Sequence, residues 1–258
     1  MPRLLFTKEG PAVWMSHLDL MRTLQRAFRR GGLMLKHSQG YSPHPELSIV
    51  LPLSVGVSSV CELADFELEP DCSVPVGEIA ARMNPVLPTG IRALNCYEQG
   101  KKAGKLAFLR SELRLTYDQA TGNRQQATDP PVAAHSVRHA VPRSDEAEGE
   151  RISPLASLGR NDRVEALREL FARPSLIVEK HGKNGPVELD LSPMIRSLSV
   201  SSQNGREIMI EVLGCAQNPT LNPLLLAAAI ERYLPECRPD FVQCRRIEVY
   251  DAEMQVFR

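Results

Sequence analysis

Aromatic residues are scarce in this sequence: they make up 5% of 258 residues, and tryptophan occurs once. A single-stranded nucleic-acid site built as a row of stacking aromatics is therefore short of material. Net charge is also missing, since 31 Lys and Arg balance 31 Asp and Glu. That excludes a polycation of the kind that coats nucleic acid with its whole surface. No apolar run approaches the roughly 20 residues that span a bilayer, and "MPRLLFTKEG" lacks the apolar stretch of a signal peptide. The six cysteines form no C-x-x-C pair and lie far apart, at 61, 72, 96, 215, 237 and 244. Their spacing fits neither a zinc ribbon, an iron–sulfur centre nor a disulfide framework. These absences point to a cytoplasmic protein with reduced thiols, no cofactor and no membrane contact. The phosphate loop G-x-x-x-x-G-K-[ST], the dinucleotide G-x-G-x-x-G and the nucleophile elbow G-x-S-x-G are absent too. P-loop nucleotide hydrolysis, dinucleotide chemistry and α/β-hydrolase chemistry are excluded on that ground.

What is present is a clear order of elements. Strands are expected at 3–8, 33–38, 47–53, 60–68 and 91–98, with helices from Ser16 to Gly31-Gly32 and over 76–87. A second set follows, with strands at 108–117, 175–180 and 242–250, a hairpin over 195–214 turning at Asn204-Gly205, and helices over 163–172 and 222–234. Each set has the β-α-β-β-α-β order of a split βαβ unit, with one extra extended piece. The expected fold is α+β, with two ferredoxin-like halves, mostly antiparallel sheets and helices on one face. The halves are placed at 1–104 and 105–258. Residues 118–160 contain no aromatic and few large apolar residues, so they are expected to form a disordered insertion.

Charge is uneven within the first half. Residues 1–59 hold seven Lys and Arg against Glu9, Asp19 and Glu46, whereas 60–80 hold six acidic residues and no base. Ser16 and Asp19 have capping-box spacing. His17 then falls at the first helical position beside a carboxylate, which makes it a candidate general base. Arg22, Arg26, Arg29 and Arg30 recur at three- and four-residue steps and form a basic stripe, suited either to phosphate or to solvent and the acidic segment. The loop "QGYSPHP" adds Gln39, Tyr41 and His44 as candidate binding or acid–base groups. The spacing of His17, His37 and His44 matches no metal motif.

"SHLDLMRTLQRAFRRGGL", "SQGYSPHPELSIVLPLSVGVSS" and Glu62 resemble the bacterial radical-SAM-linked protein family. That family is a domain of unknown function found alone or attached to the C-terminus of cobalamin-type radical SAM proteins. The likeness runs over residues 3 to about 70 and weakens beyond 100, where "ELDLSPMIRSL" carries it. Gly32 and the 118–160 segment depart from the pattern. The resemblance implies a separate radical SAM protein as partner, and it points towards RNA or ribosome-related substrates. The expected function is an accessory module that presents such a substrate through Arg22, Arg26, Arg30, Gln39 and Tyr41. The alternative is an RNA-processing or RNA-modifying enzyme with acid–base chemistry at His17 or His44. Tandem ferredoxin-like halves also occur in CRISPR RNA-processing endonucleases, an analogy of fold alone.

Overall fold

The computed structural model describes residues 1–117, 160–182, 185–204 and 206–258. The expectation for 118–160 lies outside these residues except for Arg160. In the first half, β1 (Pro2–Lys8) passes through a 3-10 turn (Gly10–Trp14) into α1 (His17–Arg30). Then come β2 (Leu47–Ile49), β3 (Val57–Phe66), α2 (Ile79–Met83) and β4 (Ile91–Glu98). The second half begins with β5 (Leu106–Thr116), α3 (Arg160–Phe171) and a hairpin of β6 (Ile177–Gly182) and β7 (Gly185–Asp190). It ends with β8 (Ile195–Asn204), β9 (Glu207–Cys215), α4 (Leu224–Tyr233) and β10 (Phe241–Asp251).

Eight of these strands form one sheet in the order β4-β1-β3-β10-β5-β9-β8, with β2 beside β3, while β6 and β7 pair as a separate two-stranded sheet. Within the first half the neighbours β4-β1-β3-β2 are all antiparallel. Within the second, β10-β5-β9-β8 are all antiparallel as well. Both are the split βαβ order, so the fold is α+β with two ferredoxin-like halves. A short parallel ladder joins them, pairing Cys244, Arg245 and Arg246 with Val57, Ser58 and Ser59. One edge of β3 is thus shared: β2 takes its end at 64–66 and β10 its start at 57–59.

Side-chain alternation divides the core by sheet face. Leu4, Phe6, Ala64 and Phe66 face α1, which buries Leu20, Leu24, Ala27 and Phe28 at helical spacing. Phe28 and Phe66 meet with ring centroids 4.6 Å apart. In the second half, α3 and α4 pack Leu167, Leu170, Leu226 and Ile230 on Leu113, Leu115, Ile210 and Val212. Leu63, the neighbour of Ala64, instead joins a smaller cluster with Cys61, Leu109, Val249 and Phe257. β3 is therefore covered on both faces, and this is why 60–68 alternates so poorly in sequence.

Three expected elements differ. Residues 33–38 form no strand, only the isolated bridges Leu35↔Leu68 and His37↔Pro45, because β2 occupies the edge of β3 that they would need. The strand expected over 47–53 stops at Ile49. Pro52 has no N–H for a ladder, and the carbonyls of Leu51 and Pro52 accept hydrogen bonds from Arg246 instead. The helix expected over 76–87 is α-helical only at Ile79–Met83, between 3-10 turns that contain Gly77 and Pro85.

Candidate nucleic-acid interface

The start of α1 is fixed by Ser16. Its hydroxyl oxygen accepts the Asp19 backbone N–H at 3.2 Å and donates to the Asp19 carboxylate at 2.7 Å. The end of α1 is a Schellman turn. Gly32 N–H donates to the Arg29 carbonyl and Leu33 N–H to that of Phe28, with Gly32 at φ +72°. This turn sends the chain back along α1, and Leu33 is fully buried where it returns.

The returning segment is pinned at its polar end. Lys36 N–H donates to the Glu67 carbonyl, and Glu46 N–H to the Lys36 carbonyl. The Lys36 ammonium lies 2.6 Å from Glu67 and 3.6 Å from Glu46. Its hydrogen bond to Glu67 raises the Lys36 pKa and lowers that of Glu67. Beyond it, the 38–44 loop closes on itself. Ser38 N–H donates to the His44 carbonyl, His44 N–H to the Ser38 hydroxyl, and His44 Nδ1 sits 2.9 Å from that hydroxyl.

Between α1 and this segment lies an open cleft of about 600 Å³. Arg22, Gln25, Arg26 and Arg29 form one wall, and Leu33, Met34, Leu35, His37 and Pro45 the other. Arg26 also lines a neighbouring cleft, with Met15, Thr23, Arg30 and the 85–88 turn. Arg26 thus stands on the crest between two hollows. Guanidinium groups there present planar forks suited to phosphate oxygens, over an apolar floor.

The acidic segment forms no ion pair with this wall among the described residues, and four of its six carboxylates have other partners. Glu62 pairs with Arg246, Asp65 with Arg3, Glu67 with Lys36 and Glu78 with Arg82. Among the described residues only Arg22 of the stripe has an ion pair, with Asp19 at 3.7 Å and both side chains exposed. Such a pair contributes little. Arg29 and Arg30 also suit the negative end of the α1 dipole, a local reason for two of the four charges.

The remaining candidates lie around the cleft. His17 is exposed in the first turn of α1 and has no hydrogen bond or ion pair among the described residues. His44 helps to close its loop, and neither histidine lines the cleft. Gln39 and Tyr41 stand exposed on the loop tip. His37, weighed in sequence only as a metal ligand, is the histidine that does line the cleft. Among the described residues no group of three His, Cys, Asp or Glu is placed to hold a metal ion. None of the helices there is long and apolar enough to cross a membrane.

A family model described as "Uncharacterized protein conserved in bacteria (DUF2344)" matches residues 2–223. The chain belongs to that family. The DUF2344 match takes in the whole first half, both walls of the cleft and the second half as far as the start of α4. No curated protein matches the chain. A solved structure similar to it is the "Crystal Structure of a Cbf5-Nop10-Gar1 Complex". That likeness covers 96% of this chain and 48% of the other, at 10% identity and a TM-score of 0.46. This chain spans about half the length of that one.

Proposed function

We propose that this protein is an accessory module that grips RNA through α1 and the facing segment, and that it works beside a separate radical SAM enzyme. The observation that supports the grip is the gathering of Arg22, Arg26 and Arg29 with His37 on one cleft, while four of the six acidic residues at 60–80 pair elsewhere. A local field of this kind holds phosphates even when the chain is neutral overall. The radical SAM partner rests on the sequence resemblance of residues 3 to about 70. RNA then enters as the substrate that the module presents, with Gln39 and Tyr41 at the rim.

The test is anisotropy of a labelled single-stranded RNA titrated with the protein at several salt concentrations. The wild type binds, and its affinity falls as salt rises by about 0.7 log unit per log unit of salt for each phosphate neutralised. Replacing Arg22, Arg26 and Arg29 by Ala weakens binding about tenfold or more and flattens that slope. RNA affinity equal in variant and wild type would remove the cleft from the proposal. For the partner, tagged protein recovers a radical SAM protein from its native cells; repeated recovery of none overturns that part. The alternative acid–base role of His17 and His44 draws no support from the cleft. RNA cleavage that His17→Ala and His44→Ala both abolish would restore it.

A further inference from the structure

A second groove, of about 430 Å³, lies where the two halves meet. Its walls come from both: Val13, Trp14, Gly56 and Ser58 from the first, and Glu112, Arg114, Phe241, Gln243 and Arg245 among those from the second. Trp14 is the only tryptophan of the chain, yet it is 63% exposed, and Phe241 is 55% exposed. Two large aromatics left open in one hollow, in a sequence so poor in aromatics, form an unfilled apolar surface. The Trp14 indole N–H has no hydrogen-bond partner among the described residues.

Trp14 is held in place rather than loose. The carbonyl of Val13 accepts two hydrogen bonds, from Gly56 N–H at 2.9 Å and from the Lys8 ammonium at 3.2 Å. Gly56 has φ +83°, and a Cβ built there would meet the indole ring at 3.5 Å. The ring therefore lies against a backbone surface with no side chain between. Around it the polar groups are mixed. Arg245 is tied to Glu9 at 2.7 Å, whereas Arg114 and Gln243 have no such tie among the described residues. An aromatic surface beside a cation and a carboxamide matches a nucleotide: the ring stacks, the amide meets a base edge and the guanidinium meets a phosphate. The volume is that of a small-molecule site. Met15, the residue after Trp14, lines the separate hollow that holds Arg26 and Arg30.

We infer that the groove between Trp14 and Phe241 is a base-binding site, which takes the unpaired nucleobase of an RNA strand or of a free nucleotide. As a site for an RNA base it rests on the RNA reading above; as a nucleotide site it stands alone. The single tryptophan makes it directly observable. Trp14 emission is followed while a short oligoadenylate, or adenosine monophosphate, is added to the full chain, and anisotropy of the labelled oligonucleotide is read in parallel. Saturable quenching by the oligonucleotide is expected, and Phe241→Ala weakens the affinity it reports roughly fivefold or more. Quenching by the mononucleotide with no RNA binding supports the site and overturns the RNA grip. RNA binding that depends on Arg26 but leaves Trp14 emission unchanged overturns the site and leaves the grip standing. Phe241→Ala quenched with wild-type affinity overturns the site, and silence in both channels overturns both.

Discussion

Arg246 is 6% exposed and donates to the Glu62 carboxylate and to the carbonyls of Leu51 and Pro52, at 2.9, 2.9 and 3.1 Å. Lys8 lies beside this pair: burial pushes its pKa down, the Glu62 carboxylate opposes that and Arg246 adds to it. On the opposite face the fully buried Arg3 binds Asp65 at 2.6 and 2.9 Å and stacks over the Phe257 ring. A charged residue in a strand ordinarily reads as a solvent-facing position, so this network was not legible in sequence. Its partners come from strands distant in the chain and only meet in the sheet. Arg246→Met is expected to cost about 3–5 kcal/mol, because Glu62 is left buried with only the Lys8 charge near it among the described residues, and the Leu51 and Pro52 carbonyls lose their donor. Pairing it with Glu62→Leu recovers part of that loss, since the two carbonyls still lack their donor and Lys8 has lost the Glu62 charge. Urea unfolding of the two variants and the wild type checks both statements, and a double variant as unstable as the single one contradicts the account. The arginine stripe, by contrast, was legible, since exposed positions on a helix repeat with the helix period. The facing wall was not, because it depends on where the chain goes after Gly32.

At the scale of elements, periodicity, caps and turn residues located nearly every helix and strand, and sheet competition decided the exceptions. The segment 33–38 has the composition of a strand but no edge to pair with. The β6–β7 hairpin shows the reverse: β7 is half-buried or exposed along its length, so the alternation that marks a strand is absent from 185–190. The turn after α1 has a measurable weight. Gly32 holds a left-handed conformation with open space around its Cα, so Gly32→Ala is a test of conformation alone. A destabilisation of about 1–2 kcal/mol is expected from the shift in the denaturation midpoint. The β6–β7 hairpin is closed by Asp190, whose carboxylate accepts the backbone N–H of Leu176 at 2.8 Å and of Ser192 at 3.0 Å. Those bonds hold its pKa below the ordinary carboxylate value. The stabilisation is therefore present above about pH 4 and is lost as pH falls through the lower folded-state value. Asp190→Asn should flatten the acid limb of stability against pH, read from urea midpoints over that range. An unchanged limb would assign the acid sensitivity to other carboxylates.

For the molecule as a whole, the two halves share a sheet and a buried ion pair, and unfold together if that junction is strong. A single cooperative transition, coincident by circular dichroism and Trp14 emission, is the expected result. The first half expressed alone, residues 1–104, lacks β10 and with it the partner of Glu62. It should be markedly less stable than the same residues in the full chain, as judged by hydrogen exchange in β3. Equal protection in the two would show that the halves are independent. The repeated order was readable because each half carries its own pattern of periods and turns. The parallel ladder that fuses them spans only three residue pairs, too short to leave a sequence signal.

That ladder also sets an order of events at the ribosome. β3 ends at Phe66, and β10, which covers its open edge, does not begin until Phe241. At ordinary rates of translation the gap lasts on the order of 10–30 s. Throughout that time the nascent first half carries an unpaired strand edge at 57–59 and a Glu62 without its arginine. A strand made long after β3 is thus the one that completes its pairing, and the growing chain has reason to be shielded until it arrives.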